Sequence, residues 1–416
     1  MPPPLTMSAN IALTRPLFTL LALLALPPKA AAGTYTPDSA ASYALVHNPG
    51  LAAARLGVDQ ARARLLQAGG LSNPELESEV RPNLAGREFS LSVGFSQRFP
   101  LTHRLRLEKA VSSTGVALAE SEVHSASRIL DTQVRELAIK LQALSARQEI
   151  NRRQQVAARD LAAAMTKAAA AGEIPPLEAA QLELEVSRLS ILALQDTTER
   201  ATLAGSLRPL LGCPATEPIL ITGTLPAPVI PPATVTTPAQ HPDYRTALTK
   251  AEAARQAIDL ARANRWEDLT VGVGYERSRE EDAGAGMQRD NIAVLRFSLP
   301  LPLKKHNAGH LAEAVATAER TTLEATATAA RLRAEAAAAL DEMKAFTAIH
   351  QETTTKLLPQ AEALENRFNQ LQKNGQATLP DVLRARQQRL TLESAALDAR
   401  RDFHLAHLRY QAASGL

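Results

Sequence analysis

The sequence has 416 residues, a formal net charge of +3 from 46 basic and 43 acidic residues, 45% apolar residues and only 3% aromatic residues. Basic residues do not cluster along the chain, which argues against a nucleic-acid-binding surface. The single cysteine, Cys213, excludes a disulfide framework and a cysteine-based metal site within one chain. Many alanines and few aromatic residues indicate closely packed helices rather than a conventional globular core.

The first 32 residues have the organisation of a secretory signal peptide. Arg15 precedes an apolar run over residues 17–26, and small residues end at Ala32. The alternative is an N-terminal membrane anchor, but the run is shorter than the ~20 residues that a spanning helix needs. We predict cleavage after Ala32, without lipid attachment, since no cysteine follows the run.

The remaining chain reads as two copies of one unit, residues 33–212 and 241–416. In each copy a helical stretch leads into a strand pair, followed by a long helix, a glycine turn and a second helix. Corresponding landmarks are offset by 193 residues at Pro49 and Pro242 and by 203 at Gly172 and Gly375. The order of these landmarks predicts a duplication. Seven prolines in the linker, residues 213–240, predict an extended segment that runs along the surface.

Each copy contains a predicted helical hairpin, at about 104–212 and about 305–414. Residues 104–171 lack proline, and a helix of that length would reach ~100 Å. Apolar residues recur there at steps of four and three, which is a coiled-coil seam: Leu130, Val134, Leu137, Leu141 and Leu144. The second hairpin has the same steps over 357–371 and along Leu383, Leu390 and Leu397, with a kink expected at Pro359. The hairpins expose enough apolar surface to predict packing against other chains.

Four short segments alternate apolar and polar residues, at about 74–82, 88–100, 268–279 and 291–301. Half-buried soluble hairpins are one explanation. Transmembrane strands are the favoured one, because no apolar element remains to cover the strand faces. Four strands cannot close in lipid, whereas three chains would supply twelve. The polar spans Arg81–Gly86 and Glu280–Asp290 would face outside the cell. The predicted lipid-facing residues are Phe89, Leu91, Val93, Phe95, Leu269, Val271, Val273, Tyr275, Leu295 and Phe297.

Several short motifs resemble one family, the TolC-like outer-membrane efflux proteins. The stretch from Leu357 through Asn374-Gly375-Gln376 to Gln387 resembles the second helical hairpin of that family, and Gly172 with Leu177–Gln181 resembles the first. Asn48-Pro49 and His241-Pro242-Asp243 resemble the residues that open each repeat. Residues 95–101 are similar to a strand end in the heavy-metal (CzcC-like) branch, although Thr102-His103-Arg104 replaces the glycine usual there.

The resemblance implies a mainly α fold with a β-barrel contribution: a homotrimer with a shared 12-strand barrel in outer-membrane lipid and a helical tunnel extending into the periplasm. It also implies partners, namely a periplasmic adaptor (membrane fusion) protein and an inner-membrane pump of RND type, and no nucleic acid. Such a duct would be passive, without enzymatic activity or cofactor. Heavy-metal cations would be the exported substrate, with drugs and secreted polypeptides as alternatives.

The family places the two glycine turns at the inner end of the tunnel, where they would contact the adaptor. The residues predicted for this contact are Ala171, Gly172, Glu173, Leu177, Asn374, Gly375, Thr378 and Leu379. Glu173 and Asp381 lie near the same end, and threefold symmetry would make each a ring of carboxylates at an aperture. The alternative for both is a solvated charge beside a turn.

Two histidine pairs, His306 with His310 and His404 with His407, have spacings that fit half of a metal site, but no third ligand is evident in the sequence. We therefore predict no metal site. Serine–histidine–aspartate and nucleotide-binding signatures are also missing. The competing function is a periplasmic coiled-coil adaptor or scaffold, which would carry one hairpin rather than two.

Overall fold

The computed structural model describes residues 33–83, 88–232, 238–282, 286–302 and 307–415. The predicted signal peptide lies outside these ranges. The strands are β1 (Gly33–Tyr35), β2 (Glu75–Pro82), β3 (Phe89–Phe99), β4 (Ile219–Ile221), β5 (Leu269–Asp282) and β6 (Gly286–Ser298). The helices are α1 (Pro37–His47), α2 (Pro49–Gln67), α3 (Arg104–Ala170), α4 (Pro176–Leu211), α5 (Pro242–Ala263), α6 (Ala308–Glu352), α7 (Leu358–Lys373) and α8 (Leu379–Ser414).

The order of helix, strand pair, long helix and return helix occurs twice, from α2 and from α5, and these two helices begin in the same way. Asn48 caps α2 by accepting the backbone N–H of Leu51 at 2.8 Å, and its amide donates to the carbonyl of Leu210 at 2.9 Å. His241 caps α5 by accepting the N–H of Asp243 at 3.1 Å, while its Nε2 donates to the carbonyl of Ala412 at 2.9 Å. One side chain thus caps the opening helix and ties it to the end of the closing helix in each copy.

Long antiparallel hairpins form the body of the molecule. Helix α3 alone has 67 residues and packs against α4, α5 and α8. Along its predicted seam, Leu130, Val134 and Leu141 are buried in the main core cluster, together with Leu207 and Leu211 of α4. The seam predicted from the steps of four and three is therefore the packed face of this helix.

The second hairpin accommodates Pro359 without ending its helix. A π-helical turn at Thr353–Leu357 separates α6 from α7, and the N–H of Leu358 donates to the carbonyl of Thr353, five residues back. A proline lacks the N–H of a regular helical bond and crowds the carbonyl four residues earlier. The wider turn directly before Pro359 relieves that conflict, so the irregularity lies slightly earlier than the predicted kink.

Strands β2, β3, β5 and β6 form one antiparallel sheet in that order. The outer part of this sheet is longer than predicted, because β5 continues to Asp282 and β6 begins at Gly286. Most of the span Glu280–Asp290, expected to be a loop, is therefore strand. The backbone hydrogen bonds between β5 and β6 continue into a region where the side chains are charged. The apolar alternation from which the strands were predicted stops before that region. The other predicted loop, Arg81–Gly86, begins as strand at Arg81 and Pro82, and residues 84–87 are outside the described ranges.

The linker contacts the core instead of only following the surface. Its strand β4 pairs in parallel with β1, and Ile219 and Ile221 are buried in the main core cluster. Further along, Leu225 packs against Ile139 of α3, with Leu405 and Leu408 of α8 beside it. Successive side chains of an extended chain point to opposite sides. A proline-rich segment can therefore place alternate apolar side chains against the neighbouring helices.

Candidate functional site

The apolar residues of the four-stranded sheet share one face. Residues directly opposite each other in antiparallel strands point to the same side, and the register joins Phe95 with Val273 and Val273 with Leu295. Neighbouring rows join Val93 with Tyr275, and Val271 with Phe297. All ten predicted lipid-facing residues occupy this face. Eight are exposed, with Leu295 and Phe297 at 69%, while Leu269 and Val271 at the start of β5 are half-buried.

The opposite face of the same sheet is polar and charged. Arg296 donates to Glu77 at 2.8 Å, Arg98 donates to Glu75 at 2.6 Å, and the Ser96 hydroxyl donates to Glu77 at 3.2 Å. The arginines and glutamates are partly exposed, so the two ion pairs are solvated, whereas Ser96 is buried. The sheet therefore has one exposed apolar face and one charged face.

Small residues allow the two central strands to approach closely on the polar side. Gly94 lies opposite Gly274 in the register between β3 and β5. A methyl group at Gly94 would lie 3.2 Å from the carbonyl oxygen of Val273, and one at Gly274 would lie 3.3 Å from that of Val93. Larger side chains at this row would push the strands apart, and their absence favours curvature toward the polar face.

The hairpin tips have the same backbone design. Gly172 and Gly375 adopt left-handed φ angles of 74° and 72°. The N–H of Glu173 donates to the carbonyl of Ala168 at 3.0 Å, and the N–H of Gln376 donates to that of Leu371 at 2.9 Å. Both bonds close the Schellman motif that ends a helix at a glycine. The tips are therefore equivalent surfaces from the two repeats.

Seven of the eight predicted tip residues are exposed. Ala171, Gly172, Glu173, Leu177, Asn374, Gly375 and Thr378 are all exposed, and the side chain of Leu379 lies outside the described part. Nothing in a single chain covers these positions, so the adaptor contact stays a prediction.

The two candidate aperture carboxylates differ in what they already bind. Asp381 accepts from the backbone N–H of Thr378 at 3.1 Å and from its hydroxyl at 2.5 Å, forming a capping box at the start of α8. These hydrogen bonds hold the pKa of Asp381 below its usual range. Glu173 is exposed beside Gly172 and takes part in no ion pair within the described residues. Glu173 is therefore the freer of the two groups.

Ion pairs connect the hairpins in the shaft above the tips, and sequence analysis did not identify them. Arg153 of α3 donates to Glu393 of α8 at 2.9 Å. Glu393 is also contacted by Arg389, which donates to Glu365 of α7 at 2.6 Å. The partners are far apart in sequence, and only the packing of the helices brings these charges together. The chain of contacts joins the first hairpin to both helices of the second.

A buried carboxylate lies inside the first hairpin. Asp196 of α4 is 5% exposed and accepts from Arg147 at 3.1 Å and from Asn151 at 2.7 Å. Removing either donor would leave a buried charge without full compensation. No sequence motif identified these residues, because a buried charged residue on a helix cannot be told from an exposed one by its local sequence.

Of the two histidine pairs, His404 with His407 takes a structural position. The Nε2 of His404 donates to the carbonyl of Pro226 at 3.0 Å, which ties the linker to α8, and burial holds the pKa of His404 below its usual range. The ring of His407 stacks on Phe403. His310 is exposed beside Glu313, and His306 lies outside the described residues. Within the described ranges, no group of three or more His, Cys, Asp or Glu side chains is placed to hold a metal ion.

Among the described helices, none combines the length and apolar character needed to cross a membrane.

Comparison with known proteins extends over nearly the whole chain. The cobalt-zinc-cadmium resistance protein CzcC of Cupriavidus metallidurans is 25% identical over 397 residues, covering 92% of this chain and 87% of the relative. The solved structure of CusC, described for transmembrane channel formation, superposes with a TM-score of 0.73 at 19% identity, covering 94% of this chain and 95% of the other. The Campylobacter jejuni CmeC outer membrane channel superposes with a TM-score of 0.76 at 14% identity, covering 91% of this chain and 85% of the other. No protein-family model matches the chain. The fold predicted from the sequence is confirmed.

Proposed function

We propose that this chain is a TolC-like outer-membrane efflux protein and serves as the passive outer-membrane duct of a tripartite efflux system. The observation that carries the proposal is the sheet whose exposed apolar face backs onto a charged face, mounted on two long helical hairpins. Lipid against one face and water against the other is the arrangement of a transmembrane barrel wall. The helices would then extend into the periplasm.

The sheet in one chain has two open edges, at β2 and β6. Unpaired backbone groups are not tolerated in lipid, so each edge needs a strand from another chain. Three chains would close a barrel of twelve strands. The α4 helix supports this assembly with an exposed apolar stripe at steps of seven, formed by Leu177, Leu184 and Ile191. A stripe of that period is a coiled-coil seam without its partner in the single chain.

The hairpin tips would dock a periplasmic adaptor bound to an inner-membrane pump of RND type. Leu177 belongs both to the predicted tip contact and to the α4 stripe, so the two surfaces must be separated by experiment. A photo-crosslinking residue at Ala171, on the tip, should capture a different protein, whereas one at Leu184 should capture a second copy of this chain. If Ala171 captured only copies of this chain, the tip would be an oligomer contact and the docking proposal would fail.

Glu173 is the better candidate for a ring of carboxylates at the periplasmic aperture, since the oxygens of Asp381 already cap α8. A ring of three carboxylates attracts cations and repels anions. Replacing Glu173 with glutamine should lower the cation preference of single channels in planar bilayers. The matched control is Glu178→Gln, at the repeat position that corresponds to Asp381. Equal selectivity in the two variants and the unmodified protein would exclude the aperture role.

The exported substrate is proposed from the cobalt-zinc-cadmium resistance named for the CzcC relative: divalent heavy-metal cations. A strain lacking this gene should become sensitive to cobalt, zinc or cadmium salts and should recover when the gene is restored. Testing a drug panel in the same strain separates the alternatives. Sensitivity to drugs with unchanged metal tolerance would reject the metal substrate and leave the duct proposal intact. A protein released from membranes by carbonate would instead support a periplasmic scaffold.

A further inference from the structure

Three arginines stand at the outer end of the apolar sheet face. Arg277 and Arg279 follow Tyr275 at alternate positions of β5, and Arg289 lies on β6. The register places Leu91 opposite Arg277, and Arg279 opposite both Phe89 and Arg289. Because directly opposite residues share a face, all three arginines are on the side that carries the apolar residues. We refer to these three residues as the outer arginine cluster.

The outer arginine cluster has no anionic partner within the described part of the chain. All three residues are exposed, and none takes part in an ion pair among the described residues. By contrast, Arg98 and Arg296 on the polar face of the same sheet are paired with Glu75 and Glu77. Arg279 and Arg289 are directly opposed, and like charges in that position destabilise a strand pair. Glu281 is two positions beyond Arg279 on β5, but three arginines outnumber this one carboxylate and leave a net positive charge at this end of the face, which favours an anion supplied from outside the chain.

The position of the cluster indicates where this anion lies. On β5 the apolar residues of this face end at Tyr275, and at ~3.4 Å per residue Arg277 is ~7 Å further along the strand. If the apolar face meets lipid, as the proposed function requires, this distance places the guanidinium groups at the level of the outer headgroups. Phe89 and Leu91 are exposed on the adjoining strand, directly beside the arginines. An occupant would therefore present anionic groups to β5 and β6 and apolar groups to β3 at the same level.

We propose that the outer arginine cluster binds the phosphate groups of the phosphorylated glycolipid in the outer leaflet. Guanidinium groups donate paired hydrogen bonds to phosphate oxygens, which suits arginine better than lysine at such a site. A bound phosphate offsets the repulsion between Arg279 and Arg289 and joins β5 to β6 at their outer ends. Free phosphate would meet the same charges but would not use the apolar surface at Phe89 and Leu91.

The test uses the full mature protein purified in dodecyl maltoside and titrated with bis-phosphorylated lipid A. The triple variant Arg277→Gln, Arg279→Gln, Arg289→Gln should bind about ten- to a hundredfold more weakly, since three solvated charge contacts are lost. The matched control, Arg98→Gln with Arg296→Gln, removes arginines from the polar face and should bind as the unmodified protein does. Enzymatically dephosphorylated lipid A should bind the unmodified protein as weakly as lipid A binds the triple variant.

A second variant separates lipid binding from folding. Arg289→Glu places a carboxylate opposite Arg279, which should stabilise the strand pair while weakening lipid A binding. Unchanged affinity in the triple variant, equal binding of dephosphorylated lipid A, or an equal loss in the polar-face control would each overturn the proposal. The proposed function is judged separately: a protein that carbonate releases from membranes fails as an outer-membrane duct whatever its affinity for lipid A.

Discussion

Leu295 and Val294 are neighbours on β6 that face opposite sides of the sheet, and they provide a matched test of where lipid lies. Leu295 is 69% exposed and pairs with Val273, in a row that continues through Phe95. Apolar rows flank it on both sides, so this position is inside the apolar band. Val294 pairs with Gly274 on the polar face, which also carries the solvated ion pair between Arg296 and Glu77.

Arginine at Leu295 should destabilise the membrane-inserted protein, whereas arginine at Val294 should have little effect. An arginine in the middle of a lipid-facing strand costs about 2–4 kcal/mol, which is roughly 6–12 kcal/mol for three chains in one barrel. That amount is comparable to the whole stability of an ordinary domain. For Val294→Arg on the polar face, the free energy of unfolding should change by no more than about 1 kcal/mol.

The assay is urea unfolding of the oligomer reconstituted in phosphatidylcholine vesicles, followed by its mobility in semi-native gels. Leu295→Arg should lower the unfolding midpoint or prevent assembly, and Val294→Arg should follow the unmodified protein. Equal behaviour of the two variants, or greater damage from Val294→Arg, would refute the assignment of the apolar face to lipid.

Three further predictions concern the helical body. Gly172→Ala should lower the free energy of unfolding in urea by about 1 kcal/mol, because φ is 74° there. A methyl group would meet no atom within 4 Å at Gly172 or at Gly115, which lies inside α3. Gly115→Ala is therefore the control and should raise the free energy of unfolding by about 0.5–1 kcal/mol. His241→Ala should lower the free energy of unfolding by about 2 kcal/mol, because the helix cap and the hydrogen bond to α8 are both lost. His241→Asn should keep most of the unmodified protein's stability, since Asn48 makes both contacts in the first repeat. The folded pKa of His404 is lowered by burial, so its contribution is present above the usual histidine pKa of about 6.5 and is lost as the pH falls through the folded value. His404→Gln should flatten the decline in thermal stability between about pH 7.5 and pH 5; a decline of equal slope in that variant would contradict this account.

The features that sequence analysis predicted are those with a regular local period. The alternation along Phe89–Phe95 determines which side of a strand is apolar, and pairing cannot change that side without moving every residue by one. The steps of three and four around Val134 identified the packed face of α3 in the same way. The turn glycines were identifiable because few other residues tolerate a left-handed backbone at a helix end.

The features that were missed depend on contacts between distant segments. The outer parts of β5 and β6 are strands because they pair with each other, and their charged residues carry no apolar alternation to reveal this. Leu225 is buried by helices from both repeats, which the prolines around it did not indicate. The Arg153–Glu393 pair joins helices whose relative placement no local pattern specifies.

Asp381 shows how a sequence motif can support two roles. Its place near a tip suggested an aperture, but the structure uses its oxygens to cap α8 through Thr378. The local rule that aspartate three residues after threonine forms a capping box was available from the sequence and accounts for this contact. Glu173, with no such local partner, is left as the residue on which the aperture hypothesis depends.

Disulfide trapping between the sheet edges tests the shared wall most directly. In a Cys213→Ser background, pairs of cysteines are placed on β2 and β6, one residue on each strand, and oxidised in intact membranes. Edge strands from neighbouring chains that pair in one barrel should give covalently closed trimers for pairs on the same face, with a repeat of two residues along each strand. If no pair crosslinked, and the protein washed from membranes as a monomer, three chains would not share one lipid-facing wall.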